Sequence, residues 1–140
     1  MSLGFALAGC SGATSPADDC VEQEEIVRES GLRWTDLTCG DGEEAIGGAA
    51  VSVEYTGRLE DGDVFDSSRR IGEPFTFLLG AGRVIQGWDE GVRGMAVGGT
   101  RRLIVPPELA YGEEGFAGVI PRDAMVTFDI ELLDVRVPDD

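Results

Sequence analysis

The chain has 140 residues, which is enough for one domain and a short additional segment. Its 11 basic residues are all arginine, and the lack of lysine and histidine excludes Ser-His-Asp triads, Cys-His pairs, lysine Schiff bases and histidine-ligated metals. The 27 acidic residues bring the net charge to −16, which argues against a nucleic acid partner because phosphates are bound by a basic face.

The first ten residues, MSLGFALAGC, are small and apolar and predict the end of a secretory signal segment over residues 1–10. Within them Leu7-Ala8-Gly9-Cys10 resembles the lipobox of bacterial lipoproteins, in which the cysteine is lipidated and becomes the mature N-terminus. This resemblance implies a lipid on Cys10 and an extracytoplasmic protein of the bacterial periplasm. The serine after the cysteine favours attachment to the outer membrane. The alternative is a chance match to a short motif.

Residues 11–30 are predicted to be an acidic, flexible tether between this anchor and the main domain. Ser11 to Ala17 reads SGATSPA, and small polar residues with a proline disfavour a packed core. Residues at helical spacing from Val21 to Arg28 predict a short helix within residues 18–30.

Two further cysteines, Cys20 and Cys39, are 19 positions apart and form no CxxC motif, so nothing supports a zinc or thioredoxin-like site. In an oxidising compartment they can form a disulfide that pins the tether to the first strand and constrains the unfolded chain by roughly 3 kcal/mol. In a reducing compartment they are two unpaired thiols. The lipoprotein interpretation favours the disulfide.

The main domain, residues 31–140, consists of short predicted strands separated by turns. Apolar and polar residues alternate most clearly in residues 51–56 and 126–132. Glu60-Asp61-Gly62-Asp63 predicts a hairpin turn. Further strands are predicted at Leu32–Thr38, Val64–Asp66, Phe75–Leu79 and Thr100–Val105.

A single apolar stripe at helical spacing predicts one helix, formed by Ile85, Trp88, Val92 and Met95. Gly87 and Gly91 each lower its intrinsic stability by about 1 kcal/mol, so we expect a sheet to pack closely against them. The predicted fold class is therefore α+β, with an antiparallel sheet wrapped around one short helix.

Aromatic residues are distributed over separate predicted elements: Tyr55, Phe65, Phe75, Trp88, Tyr111 and Phe128. An ordinary hydrophobic core and a convergent aromatic pocket both explain such a set, and composition does not choose between them. No motif for a metal or a cofactor accompanies them, so the sequence predicts neither.

Four segments, VEYTGRLEDGDVFDSS, PFTFLLGAGRVIQGWDEGVRGM, AYGEEG and MVTFDIELLDV, resemble the FKBP family of peptidyl-prolyl cis–trans isomerases. The resemblance covers about residues 31–135 without an obvious gap. It implies a five- or six-stranded antiparallel half-barrel around one short helix. It also implies acceleration of Xaa-Pro isomerisation, which together with the lipobox predicts assistance in the folding of extracytoplasmic proteins. The alternative is a proline-recognising binding module of the same fold with little turnover.

Matching the same motifs position by position shows which residues of this chain correspond to the family's site residues. The implied catalytic residues are Tyr55, Asp66, Tyr111 and Phe128. The implied substrate-binding residues are Phe65, Phe75, Val84, Ile85, Trp88, Phe116 and Ile120. In this arrangement Trp88 forms the floor of the proline pocket, the Ile85 N–H and the Tyr111 hydroxyl hold substrate carbonyls, and Asp66 orients Tyr55.

The resemblance also implies the binding partners. They are proline-containing polypeptides and rapamycin-class macrolides. We expect a monomer, and the lipobox predicts that it reaches the membrane only through its N-terminal lipid.

Two residues depart from the family's pattern. Ile71 stands where many members have an arginine that joins the Tyr–Asp pair, and Arg69 and Arg70 are the candidates to replace it. Phe116 occupies a flap position where histidine is common, so we expect a more apolar rim that is less sensitive to pH.

Overall fold

The computed structural model describes residues 20–116 and 119–137. The predicted lipidation site Cys10 and the predicted segments up to residue 19 lie outside the described residues. The strands are β1 Glu25–Val27, β2 Arg33–Thr38, β3 Ala50–Arg58, β4 Val64–Ser67, β5 Phe75–Leu78, β6 Thr100–Val105 and β7 Val126–Arg136. The helices are α1 Ser68–Ile71, α2 Gln86–Gly91 and a 3₁₀ turn at Pro107–Leu109. None of these described helices is long and apolar enough to cross a membrane.

The seven strands form one sheet in the order β1-β2-β6-β7-β3-β4, with β5 pairing with β3 beyond this path. Every pair of neighbouring strands is antiparallel. The predicted α+β class is confirmed. The strand number differs from the five or six that the resemblance implied, because the backbone of residues 25–27 also pairs with β2.

The strands predicted from alternation are confirmed, and alternation decides which side chains enter the core. On β3, and on β7 as far as Leu132, every second side chain is buried and the residues between them are partly or fully exposed. Beyond Leu132 an irregularity in the β3–β7 register interrupts the alternation. The hairpin at Glu60–Asp63 is also confirmed: the Leu59 N–H donates to the Asp63 carbonyl (2.8 Å) and Gly62 adopts a positive φ of 94°. The buried face of the sheet therefore presents aliphatic and aromatic side chains toward α2.

The helix predicted within residues 18–30 is wrong for the residues that the structure describes. Residues 25–27 form β1 instead, with Ile26 opposite Trp34, and a disulfide joins Cys20 to Cys39 (Cα–Cα 6.0 Å). The backbone of this segment pairs with β2, for example from the Gln23 N–H to the Asp36 carbonyl (2.8 Å), so its polar groups are unavailable to a helix. The sheet thus begins inside the segment 11–30 that the sequence assigned to the tether.

The predicted helix is present as α2 but is shorter than its apolar stripe, because it ends at Gly91 and a glycine with a φ of 91° follows at Gly94. The expected close packing is observed. A Cβ on Gly87 would lie 2.5 Å from a Val105 methyl carbon, and one on Gly91 would lie 2.7 Å from a Leu103 methyl carbon. These two glycines let α2 approach β6 closely.

One ion pair is buried between β2 and β6. Arg101 and Asp36 are only 6% and 8% exposed, and they are joined from Nε to Oδ1 (2.7 Å) and from Nη2 to Oδ2 (3.3 Å). Arg101 Nη1 also donates to the Gly91 carbonyl at the end of α2 (2.8 Å). The guanidinium lies 4.6 Å from the centre of the Trp34 ring, which covers it. This pair links the helix to the two strands.

Candidate active site

A cavity of about 460 Å³ lies between α2, β3, β7 and the loop before α2. It combines aromatic walls with one carboxylate and one guanidinium, and is lined by Tyr55, Asp66, Phe75, Gly82, Arg83, Val84, Ile85, Trp88, Tyr111 and Phe128. Eight of the eleven site residues predicted from the resemblance are therefore brought together. The exceptions are Phe65, Phe116 and Ile120.

The Trp88 indole is the centre of the aromatic walls. It is buried on the first turn of α2, and its ring centre lies 5.0 Å from that of Tyr55 and 5.2 Å from that of Phe128, both close to perpendicular. The ring centre of Phe75, which lies on β5, is 5.9 Å from that of Trp88. Edge-to-face arrangements of this kind are favourable for aromatic pairs. Three strands and one helix thus meet at one indole, which forms a rigid apolar floor.

Tyr55 and Asp66 form the polar part of the cavity. The Tyr55 hydroxyl donates to Asp66 Oδ2 (2.8 Å), and the Ser67 N–H donates to the other carboxylate oxygen (2.8 Å). Behind them the buried Ser68 hydroxyl accepts from the Tyr55 N–H (3.0 Å) and donates to Glu54. The β3–β4 pairing and the start of α1 therefore hold the phenol and the carboxylate in one orientation.

Both phenols of the cavity keep their protons more tightly than free tyrosine does. Burial raises the pKa of Tyr55, and its hydrogen bond to the Asp66 carboxylate raises it further. Burial also raises the pKa of Tyr111, with a smaller contribution from the charge of Asp66. Both hydroxyls therefore stay neutral hydrogen-bond donors at physiological pH.

These raised pKa values predict a flat pH profile for any activity that depends on the two phenols. We expect kcat/KM to change less than twofold between pH 6 and pH 9, since both hydroxyls remain protonated and the chain has no histidine. The native phenols bind protons more tightly than the unfolded chain, so their contribution to stability is complete below about pH 10 and is lost as the pH rises further. Activity measured across this range, with urea unfolding from pH 8 to 11, checks both parts. A steep change in activity near pH 7 would contradict the first.

Gly57 was missed by the sequence reasoning, although the residues that surround it were not. It pairs with Phe128 on β7 and with Asp66 on β4. A Cβ there would lie 2.7 Å from the Phe128 ring and 2.8 Å from the Phe65 ring. The missing side chain leaves room for both rings, which meet at 5.6 Å. An isolated glycine in an alternating strand was the available signal.

The loop before α2 supplies one wall and is fixed by a side chain that the sequence reasoning did not select. The two carboxylate oxygens of Asp89 accept from the Gly80 N–H (2.8 Å) and the Gly82 N–H (3.0 Å). This clamp positions the segment that leads to Val84 and Ile85. It also places Gly82 and Arg83 on the cavity lining, where neither was predicted.

Three of the predicted binding residues lie outside the cavity lining. Phe65 packs behind it, 6.2 Å from the Tyr111 ring. Ile120 is buried and pairs through its backbone with Phe116, whose side chain is 58% exposed. The binding roles of these residues stay predictions.

The arginines proposed to replace the one absent at Ile71 do not reach Asp66. The Arg70 guanidinium donates instead to the Val64 carbonyl (3.5 Å), and the backbone N–H of Arg69 donates to the hydroxyl of Ser67, the N-cap of α1. Among the described residues the Asp66 carboxylate is held by Tyr55 and Ser67 alone. Within this part of the chain, hydrogen bonds rather than an ion pair therefore stabilise the charged Asp66 carboxylate.

Comparison with known proteins agrees with this geometry. The family described as FKBP-type peptidyl-prolyl cis-trans isomerase matches residues 42–133. The chain therefore belongs to this family, which confirms the resemblance seen in its motifs.

Individual relatives agree over the same region. An FK506-binding protein of Neisseria meningitidis serogroup B is 50% identical over 105 residues, which are 75% of this chain and 96% of that protein. The crystal structure of AtFKBP13 superposes with a TM-score of 0.75 at 43% identity, over 79% of this chain and 98% of that one. FK506-binding protein 4 of Aspergillus oryzae is 45% identical over 121 residues, 86% of this chain. The chain spans only 25% of the length of that relative and 22% of the matching one from Aspergillus fumigatus.

Proposed function

We propose that this protein accelerates the cis–trans isomerisation of Xaa-Pro bonds in polypeptides. The observation that carries the proposal is the cavity itself, in which four aromatic rings enclose a neutral phenol hydrogen-bonded to a carboxylate. Membership of the isomerase family supports it. The function needs no nucleophile, histidine or metal, in agreement with a composition that lacks histidine and lysine.

The chemistry follows from the electronic structure of the amide. Rotation about the C–N bond has a barrier of about 18–20 kcal/mol, because the planar amide has partial double-bond character. In the twisted transition state this resonance is lost and the amide dipole is smaller. An apolar cavity that excludes water therefore destabilises the planar ground state relative to the twisted one. Each tenfold acceleration requires about 1.4 kcal/mol of such differential stabilisation.

The cavity residues divide this task among them. Trp88 receives the proline ring on its apolar surface, with Phe75 and Phe128 beside it. Ile85 is the N-cap of α2, and its N–H is proposed to donate to a substrate carbonyl while the Tyr111 hydroxyl donates to a second one. Asp66 fixes the Tyr55 hydroxyl next to the rotating carbonyl.

The direct test is a protease-free isomerisation assay. The full chain is added to Ala-Xaa-Pro-Phe peptides, and the exchange rate is measured by NMR with and without a rapamycin-class macrolide. We expect acceleration that the macrolide abolishes by occupying the same cavity. Phe116→Ala, on the exposed flap outside the lining, separates the role of the rim from that of the cavity. Absence of acceleration over a tenfold range of protein concentration would overturn the proposal.

One observation favours a second candidate, a proline-binding module with little turnover. Within the described part of the chain, no cation pairs with Asp66, whereas the resemblance implies an arginine at this place. This candidate predicts that the macrolide binds but that peptides exchange at the uncatalysed rate. The assay therefore distinguishes the two functions in one experiment.

We further propose that the protein works as a monomer outside the cytoplasm, held at the bacterial outer membrane by a lipid on Cys10. The disulfide between Cys20 and Cys39 supports an oxidising compartment, since cytosolic thiols are kept reduced. Metabolic labelling with a palmitate analogue, followed by membrane fractionation, tests the anchor. Label and membrane attachment should both be lost in Cys10→Ser, and a variant that keeps both would contradict the anchor. Sedimentation of the delipidated chain tests the monomer.

A further inference from the structure

Arg83 is the single cation on the lining of the cavity. Its side chain is exposed at the rim, two residues before Ile85. Within residues 20–116 and 119–137 its guanidinium makes no ion pair, hydrogen bond or contact with an aromatic face. Four other arginines also lack an ion pair among these residues, so the feature that distinguishes Arg83 is its place on the cavity lining.

Two carboxylates of this region, Asp66 on the cavity lining and Asp89 on α2, already accept hydrogen bonds from other groups. Asp66 accepts from the Tyr55 hydroxyl and the Ser67 N–H. Asp89 accepts from the Gly80 and Gly82 N–H groups, and so holds the loop that carries Arg83. The backbone around Arg83 is thus held in place, while its guanidinium has no partner in the part of the chain that the structure describes. The guanidinium is placed to bind an anion that arrives with the substrate.

We propose that Arg83 selects substrates that carry an acidic side chain on a residue flanking the proline. This inference rests on the proposed isomerase function and adds a specificity to it. With the proline ring on Trp88, the flanking residues leave the cavity at its rim, where the guanidinium can form two parallel hydrogen bonds with a carboxylate. The pair is exposed to water, so its effect is local and screened by salt.

The expected effect is a preference of about fivefold in kcat/KM for a glutamate peptide over its glutamine counterpart, which corresponds to about 1 kcal/mol. The preference should appear in KM with kcat unchanged, because the ion pair forms equally in the ground state and in the transition state. It should shrink in 1 M salt, where the Debye length falls to about 3 Å.

The experiment uses two peptide series, Ala-Xaa-Pro-Phe and Ala-Leu-Pro-Xaa, with Xaa as Glu, Gln or Lys. Both ends are blocked by acetyl and amide groups, so the side chain is the only source of the carboxylate. The full chain is compared with Arg83→Gln, Arg83→Lys and Arg83→Glu. We expect the preference for glutamate to vanish in the first variant, to persist in the second and to reverse toward lysine in the third.

Arg136→Gln is the matched control, because it changes the net charge by the same amount at a distant place. Arg136 is highly exposed and pairs with Ala50, five residues along β3 from Tyr55, or about 17 Å at the strand rise. The preference should be unchanged in this variant. If Arg136→Gln weakens it as much as Arg83→Gln, the preference arises from net charge and the inference is overturned.

Two outcomes separate this inference from the function on which it rests. Turnover of the glutamine peptide with equal kcat/KM for glutamate in both series would overturn the role of Arg83 alone. No turnover of any peptide would contradict the isomerase function. In that case the peptide Kd, measured by chemical-shift titration, decides the role of Arg83. A fivefold tighter Kd for glutamate that Arg83→Gln removes supports it, and equal Kd values overturn it.

Discussion

Replacing Asp36 with alanine is expected to lower the free energy of unfolding by about 3–5 kcal/mol. The reason is the charge left behind. Arg101 would keep its contacts with the Gly91 carbonyl and the Trp34 ring, but its guanidinium would lack a counter-ion in a site only 6% exposed. Urea unfolding at pH 7, monitored by tryptophan fluorescence, measures the loss.

The neighbouring residue on β6 provides the control. Arg102 forms an equally well-aligned pair with Asp129 (2.7 and 3.0 Å), but on the outer face of the sheet, where the Arg102 side chain is 46% exposed. Asp129→Ala should therefore cost about 1 kcal/mol or less. Similar losses in the two variants would show that burial does not distinguish these pairs. That result would contradict the energetic argument for Arg101.

Replacing Phe128 with leucine is expected to lower kcat/KM for Xaa-Pro isomerisation by at least tenfold, or about 1.4 kcal/mol of transition-state stabilisation. The Phe128 ring lies against Trp88 at 5.2 Å and Phe65 at 5.6 Å, so it closes one wall of the cavity. Leucine fills part of this volume but leaves a gap through which water can reach the rotating amide. The isomerisation assay at several substrate concentrations separates kcat from KM.

Stability must be followed in the same variant, because Phe128 is also a core residue. Truncation to alanine would cost about 3–5 kcal/mol in unfolding free energy, whereas leucine should cost less. Ile130→Val is a suitable comparison, since Ile130 is buried on the same strand and does not line the cavity. It should lower stability by about 0.5–1.5 kcal/mol and leave kcat/KM unchanged. If Phe128→Leu behaves like this variant, its ring has only a structural role.

Much of the fold was predictable because period-two alternation directly reports burial. The alternation in β3 and β7 predicted both strands and their inward-facing residues, including Tyr55 and Phe128. The two glycines of α2 predicted close contact with a sheet. In the structure Gly87 packs against Val105 and Gly91 packs against Leu103. The family motifs then predicted most of the cavity lining, since each motif contains an aromatic residue and belongs to a known element of the fold.

Other features were not encoded by any local pattern. The acidic segment at residues 20–27 has a weak helical spacing, and its strand exists because β2 offers hydrogen-bonding partners and Cys39 fixes Cys20. Arg69 and Arg70 are near Asp66 in sequence, yet α1 directs them elsewhere. Local proximity therefore gave a wrong partner for the carboxylate.

The sequence by itself determined the class of fold, the position of the helix, the aromatic composition of the site and the exclusion of histidine and lysine chemistry. The tertiary structure alone decided which charges are paired. Arg101, Arg102 and Arg83 are the same residue type. Their surroundings make the first a buried ion pair, the second a surface pair and the third a cation at the cavity rim that has no ion pair within the described residues. The physical reason is that burial and pairing depend on residues distant in the chain, such as Asp36 and Asp129. The register between strands that sets these contacts is a property of the whole sheet.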